Sequence, residues 1–254
     1  MSVISINGRP GMGKSVLATY MQLVHYKKEN GLLRRVYNKI TKRPVIYNNV
    51  YSNFPILLDK KKQVYTRKFT LYDFEKLWRY PMDTQIVIDE IQAYYDSSEW
   101  KDVPKNVRTN FQFHRHFGIS NIYIISQDPG RVPTVFKKLA EELHDIDKFH
   151  KFKIPFTNKG IGILKINVYY RVEDFGLPTC VKQNEVAYKF SKKWRIFGLS
   201  GPFNSYDTKC MSALVEGEPL LDNDNWTSLK MSKEDILETF RLDINDSGVK
   251  RKRR

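Results

Sequence analysis

Ser2-Val3-Ile4-Ser5-Ile6-Asn7-Gly8-Arg9-Pro10-Gly11-Met12-Gly13-Lys14-Ser15 decides the fold. Val3, Ile4 and Ile6 read as a short buried strand. Gly8 to Gly13 is a glycine-rich turn. Lys14 to Asn30 then carries Val16, Leu17, Tyr20, Met21 and Val24 at helical spacing, with Gly31 as a natural stop. Strand, glycine loop and helix in that order open an α/β nucleotide-binding fold.

The loop Gly8-Arg9-Pro10-Gly11-Met12-Gly13-Lys14-Ser15 matches G-x-x-x-x-G-K-[ST] in full. The spacing has a physical reason. Backbone N–H groups must wrap a phosphate closely, and glycine permits that approach. Lys14 supplies a cation for the β and γ oxygens of ATP. Ser15 offers a hydroxyl to Mg²⁺, and the helix behind it aims its N-terminal dipole at the anion.

Such a loop needs an acid for the metal and a base for water. Gln85-Ile86-Val87-Ile88-Asp89-Glu90 supplies both at the end of an apolar strand. Ligands bind at the carboxyl edge of parallel sheets, where Asp89 would complete the Mg²⁺ shell and Glu90 would polarise the attacking water. Ser126-Gln127-Asp128 follows another apolar strand, Asn121 to Ser126, and makes Gln127 a candidate sensor of the γ-phosphate.

Continuing along the chain, Val45 to Val50 reads as a strand and Leu71 to Tyr80 as a short helix ended by Pro81. Pro104 to Phe117 and Val132 to Leu143 read as helices. Apolar strands alternating with helices predict a mainly parallel sheet covered on both faces. After about residue 150 the period changes to 2. Leu164, Ile166, Val168 and Tyr170 alternate with Lys165, Asn167 and Tyr169, and Val186, Tyr188 and Phe190 continue the pattern. Antiparallel hairpins are expected there. The expected organisation is an ATPase core over 1–150, a β-rich extension over 151–216, and a polar linker over 217–254 with a weak amphipathic segment at Lys233 to Leu242.

The 254 residues fit one elaborated domain at about 150 residues each, or a core with a smaller lobe. Hydrophobic residues make up 41% and charged residues 28%, which excludes disordered and collagenous classes. Cys180 and Cys210 are too few for a disulfide framework and fit a reducing compartment. The N-terminus has no basic region followed by a long apolar run, so no signal peptide is read. The uncharged stretch Phe117 to Gln127 is about half of the roughly 20 residues that a membrane helix needs. A soluble, cytosol-facing chain is expected.

The charge is unusual. Lys and Arg number 43 against 28 Asp and Glu, a net of +15. A surplus of that size points to a polyanionic partner, nucleic acid or an acidic membrane. The tail Lys250 to Arg254 holds five of those charges. Tyr188 to Arg195 interleaves rings with cations, which suits a single-strand platform and equally an ordinary half-buried strand. His114 and His116 are two apart on a predicted helix, so their rings point to different faces, against a metal site. Arg115 and Arg131 are candidates for a finger completing a neighbour's ATP site.

The ordered set of elements resembles a family. The P-loop, Asp89-Glu90-Ile91-Gln92 with Tyr95 and Trp100, His114-Arg115-His116-x-Gly118, Ser126-Gln127 and the late Tyr206-Asp207-Thr208-Lys209 are similar to those of zonular occludens toxin (Zot)-like assembly ATPases. These are the gene I morphogenesis proteins of filamentous phages, placed among FtsK/HerA-like P-loop motors. The resemblance covers roughly residues 1–215. It implies an ATP- and Mg²⁺-dependent motor that powers assembly and extrusion of a single-stranded DNA phage. It implies a homo-oligomer, a ring such as a hexamer, working with phage assembly and coat proteins and with single-stranded DNA. It also implies a place on the cytoplasmic face of the host inner membrane, reached through a segment beyond residue 254 or the basic tail. Lys14 and Ser15 would bind nucleotide and metal, Asp89 and Glu90 would form the Walker B pair, and Gln127 matches the post-strand glutamine. Ser98 and Lys137 stand where members often have arginines, so no arginine finger is transferred. The toxin activity in the family name maps to no residue here.

Two alternatives stay open at this stage. One is a nucleotide-gated DNA-binding scaffold with incidental turnover. The other is a small-molecule P-loop kinase, which has less use for an Asp-Glu pair or for the charge.

Overall fold

The computed structural model describes residues 2–31, 36–37, 39–41, 49–62, 64–93, 95, 103–153, 160–172, 180–183, 186–203 and 205–206. The predicted strand Val45 to Asn48, Ser98, Trp100, Asp207 to Lys209, Cys210, the segment Lys233 to Leu242 and the basic tail lie outside them. Among the described residues no helix is long and apolar enough to cross a membrane.

The chain opens with β1 (Ser2–Asn7) and α1 (Lys14–Glu29). Four short strands follow: β2 (Val50–Ser52), β3 (Leu57–Asp59), β4 (Val64–Tyr65) and β5 (Arg67–Lys68). A 3₁₀ segment over Leu71–Arg79 precedes β6 (Thr84–Ile88). Next come α2 (Lys105–Gln112), β7 (Ile119–Ser126) and α3 (Thr134–Leu139). The long strands β8 (Ala140–Lys153) and β9 (Gly160–Val172) lead to β10 (Cys180–Gln183), β11 (Val186–Phe197) and the single turn α4 (Ser200–Phe203).

The main sheet has nine strands in the order β10-β11-β9-β8-β1-β7-β6-β2-β5, and β3 pairs with β4 separately. From β8 to β5 every neighbouring pair is parallel. From β8 to β10 every pair is antiparallel. This is the expected mainly parallel α/β sheet with antiparallel strands following it. Residue 150 falls inside β8, so the core and the β-rich stretch share one hydrogen-bonded sheet.

Two predicted helices end earlier than expected. The helix expected over Val132 to Leu143 stops at Leu139, and Ala140 begins β8. Val3 to Ser5 on β1 presents a ladder edge that Ala140 to Leu143 fills. Ladder hydrogen bonds to a central strand outweigh the weak helical preference of that stretch. The helix expected to reach Phe117 likewise ends at Gln112, with turns running on to Gly118.

Both faces of the sheet are covered, as its apolar strands require. On one face Ile4 and Ile6 pack with Val16 and Leu17 of α1 and with Ile146, Leu164 and Ile166 of the long hairpin. On the other, Val3, Ile86, Ile88 and Ile122 meet Phe74, Phe111 and Phe136. The last three rings pack in series, Phe74 against Phe111 at 5.4 Å and Phe111 against Phe136 at 4.8 Å between centroids. Each such pair adds about 0.5–1.5 kcal/mol beyond burial. These two cores hold the carboxyl ends of β1, β7 and β6 in one line.

Candidate nucleotide site

The topology brings the motifs together. β7 lies between β1 and β6, with Asn7 opposite Ser126 and Ile88 opposite Ile124. The P-loop, Gln127 and the Asp89-Glu90 pair therefore leave three adjacent strands at one sheet edge.

The loop geometry follows from its glycines. Gly11 and Gly13 have φ of 76° and 86°, a region that side-chain-bearing residues avoid. Gly13 caps α1, and a Cβ there would lie 3.3 Å from Leu164 Cδ1 and 3.4 Å from Phe149 Cγ. The first turn of α1 contains no acid, so its positive dipole end is left for an external anion.

Lys14 is buried, and its Nζ donates to the carbonyls of Gly8 (3.1 Å) and Arg9 (3.2 Å). Burial lowers its pKa, opposed by the charges of Glu90 and Asp89. Ser15 Oγ donates to Asp89 Oδ2 at 2.6 Å. Burial pushes the Asp89 carboxyl up to about 6, against the hydrogen bond from Ser15; Glu90 raises it further, and Lys14 opposes.

Glu90 turns the chain off β6 with φ 54°, a left-handed backbone that costs a non-glycine residue of order 1–3 kcal/mol. Its N–H donates to Asp89 Oδ1 at 3.0 Å. Two amides grip its carboxylate. Gln127 Nε2 donates to Oε1, and Gln92 Nε2 donates to Oε2. Ser126 Oγ donates to Gln92 Oε1 at 3.0 Å, tying this cluster to the end of β7. The proposed acid, base and sensor are thus within one hydrogen-bonded group.

Two residues were not singled out from sequence. Asn53 is fully buried after β2; its Nδ2 donates to the Asp89 carbonyl and its Oδ1 accepts from the Asp89 N–H, both at 2.8 Å. This double clamp fixes the backbone of Asp89, and no local pattern around Asn53 announces it. Gln92 was visible only as part of a motif, since its role depends on the facing end of β7. Tyr206, from the late family element, packs against Phe54 with centroids 6.2 Å apart and bridges to Ile56. Burial first, and the Asp89 charge second, push its phenol up to about 12.

Other candidates lie elsewhere. Arg115 is ion-paired with Glu141 and precedes β7, at the opposite sheet edge from Gln127. His114 is buried with Nδ1 at 2.7 Å from the Phe111 carbonyl, whereas His116 is exposed. Lys137 Nζ donates to the Gly130 carbonyl at 3.2 Å.

The family model described as zonular occludens toxin (Zot) matches residues 2–194. The chain belongs to the Zot family. It is an ATP hydrolase of the P-loop class. A comparison with curated proteins gave no match. Among solved structures, the N-terminal domain of zonular occludens toxin from Neisseria meningitidis is similar at 13% identity, over 81% of this chain and 98% of that one, with a TM-score of 0.48. The genome packaging NTPase of Sulfolobus turreted icosahedral virus 2, bound to ATP-gammaS, aligns at 16% identity over 61% and 77% of the chains (TM-score 0.37). A KaiC-like protein from Pyrococcus horikoshii aligns at 14% over 76% and 84% (TM-score 0.34). For this Zot-family chain the match extends across the P-loop, the acid pair and β11 as far as Trp194.

Proposed function

We propose that this Zot-family chain is a Mg²⁺-dependent ATPase motor of phage morphogenesis, and that it powers extrusion of a filamentous single-stranded DNA phage at the host inner membrane. The observation that carries the reading is the meeting of Ser15 and Asp89 at 2.6 Å, with Glu90 beside them between two amides.

A hydroxyl and a carboxylate are hard oxygen donors, the set that Mg²⁺ takes together with phosphate oxygens and water. Ser15 and Asp89 would hold that ion. When bound, it would neutralise charge on the β and γ oxygens. The chain's own residues do the rest. Lys14 exchanges two loop carbonyls for phosphate oxygens, a better partner for its charge. The backbone from Gly8 to Ser15 cradles the phosphates. Glu90 accepts a hydrogen bond from the attacking water, and Gln127 passes the loss of the γ-phosphate to β7.

The family resemblance supports the further parts of this proposal: a homo-oligomeric ring, contact with assembly and coat proteins and with single-stranded DNA, and a location on the cytoplasmic face of the inner membrane. The tail Lys250 to Arg254 has the charge expected beside such a membrane.

Phosphate release from ATP tests the motor reading. Turnover by the wild-type chain, lost in Lys14→Ala and Glu90→Gln, is the expected result. Equal rates in all three would overturn it. Assembly supported equally by a non-hydrolysable analogue would instead favour a nucleotide-gated scaffold.

A further inference from the structure

The hairpin strands β8, β9 and β11 have two faces with different tasks. Their inner face backs the phosphate loop: a Cβ on Gly8 would lie 3.2 Å from Ile146 Cβ, and one on Gly13 would meet Phe149 and Leu164. Their outer face carries charge. Lys148 is opposite Lys165, and Lys165 is opposite Arg195, so three cations stand in one row across three strands. Lys193 lies on the same face of β11, opposite Asn167.

Like charges directly opposite on a ladder are destabilising. A fold keeps such a row at a cost unless something neutralises it. Among the described residues none of these four cations has a carboxylate partner. Asp145 is one row away on β8, opposite Asn167, and Asp147 occupies the bulge beside Lys148; two carboxylates therefore border the four cations and leave an excess of positive charge among them. Aromatic rings flank the row. Phe197 follows Arg195 on the same face and is 64% exposed; Phe190 precedes Lys193 across a bulge and is 43% exposed. The bulges at Ile146/Lys148 and at Phe190/Lys192 are what align the cations, because they shift both outer strands by one residue relative to β9.

We infer that this outer face of β8-β9-β11 binds a single-stranded polynucleotide. Cations spaced by the strand separation, about 5 Å, contact the phosphates, and Phe190 and Phe197 stack on bases. A sheet face with exposed rings suits unpaired bases, which a duplex keeps inside its stack. The inference names a partner surface for the motor proposed above. It rests on that reading for its biological role but not for binding itself.

Fluorescence anisotropy of labelled oligothymidine on the whole chain tests it, with ATP turnover measured on the same preparations in the absence of DNA. Wild-type affinity should fall steeply with salt. The double variant Lys165→Ala/Arg195→Ala should bind at least about tenfold more weakly and lose about 1.4 from the slope of log K against log salt, two phosphates' worth. Phe197→Ala should weaken binding with the slope kept. Basal turnover should be unchanged in all of them. Equal affinity of the double variant and wild type would overturn the proposal, as would equal affinity for duplex. Altered sedimentation of the double variant with unchanged oligothymidine binding would also overturn it and make the face a contact between copies. Oligothymidine binding without any ATP turnover in wild type would leave this inference standing and remove the motor reading.

Discussion

Ser15 Oγ and Asp89 Oδ2 are 2.6 Å apart although 74 positions separate them in the chain. The two residues expected to share a metal are thus already joined by a hydrogen bond, donated by the Ser15 hydroxyl. Replacing either should remove Mg²⁺-dependent turnover by about 10²-fold or more, the scale of losing one preorganised electrostatic partner. Ser15→Ala, Asp89→Asn and the double variant should lose similar amounts, because they act as one unit. Phosphate release by the three proteins checks this; additive losses would count against a shared ion.

Asp89 sets a pH dependence. Its folded pKa of about 6 lies above its ordinary value of 3.8. Between these values the folded chain holds a proton that the unfolded chain has lost, so stability falls as pH rises from about 4 to 6. The loss in the nucleotide-free chain is of order 3 kcal/mol, from about two pKa units. Asp89→Asn should flatten that part of the urea-stability profile. Turnover would have the opposite slope, since only the carboxylate can hold a cation; Mg²⁺ at that carboxylate would favour its ionised form and move the fall in turnover to below about pH 6.

Glu90→Gln should bind ATP with near wild-type affinity and hydrolyse it about 10²–10⁴-fold more slowly, as expected when a base is neutralised. Gln92→Ala and Gln127→Ala remove one amide each from its carboxylate. Each should slow the single-turnover rate by about tenfold while leaving nucleotide affinity unchanged, the cost of one charge-assisted hydrogen bond. A fall in affinity without a fall in rate would remove Glu90 as the group they orient.

Asn53→Ala should destabilise the chain by about 2–4 kcal/mol, since both the N–H and the carbonyl of buried Asp89 lose their partner. Urea unfolding measures it. Asn53→Asp keeps the acceptor but lacks the donor, so it should recover only part of the stability.

The two left-handed loop glycines separate strain from contact. Gly11→Ala adds a Cβ with nothing within 4 Å and should cost about 1 kcal/mol of backbone strain. Gly13→Ala adds the same strain plus a tight contact, 3.3 Å to Leu164 Cδ1, which that side chain must relieve by a shift of a few tenths of an ångström, so it should weaken nucleotide binding more than Gly11→Ala does. Titration with a fluorescent ATP analogue distinguishes them.

The nucleotide site was largely legible in the chain because its chemistry is local. Gly8 to Ser15 must be contiguous to wrap a phosphate, and Asp89-Glu90 must end an apolar strand to reach the same edge. The parallel sheet was legible for a related reason: strands buried on both faces carry uninterrupted apolar runs, such as Ile86 to Ile88 in β6 and Ile122 to Ile125 in β7. The end of the helix before β8 was not, because Ala140 to Leu143 become strand only when β1 offers its edge.

Everything that depends on two distant segments was decided by the tertiary structure. Asn53 holds Asp89 across the sheet, Gln92 and Gln127 converge on one carboxylate, and Tyr206 returns to Phe54 and Ile56. The row Lys148, Lys165 and Arg195 exists only through register, and two bulges set that register. Residue type and spacing determine which chemistry a chain can perform. Strand order and register determine which side chains meet, because hydrogen-bonded ladders bring together residues whose separation in sequence carries no signal.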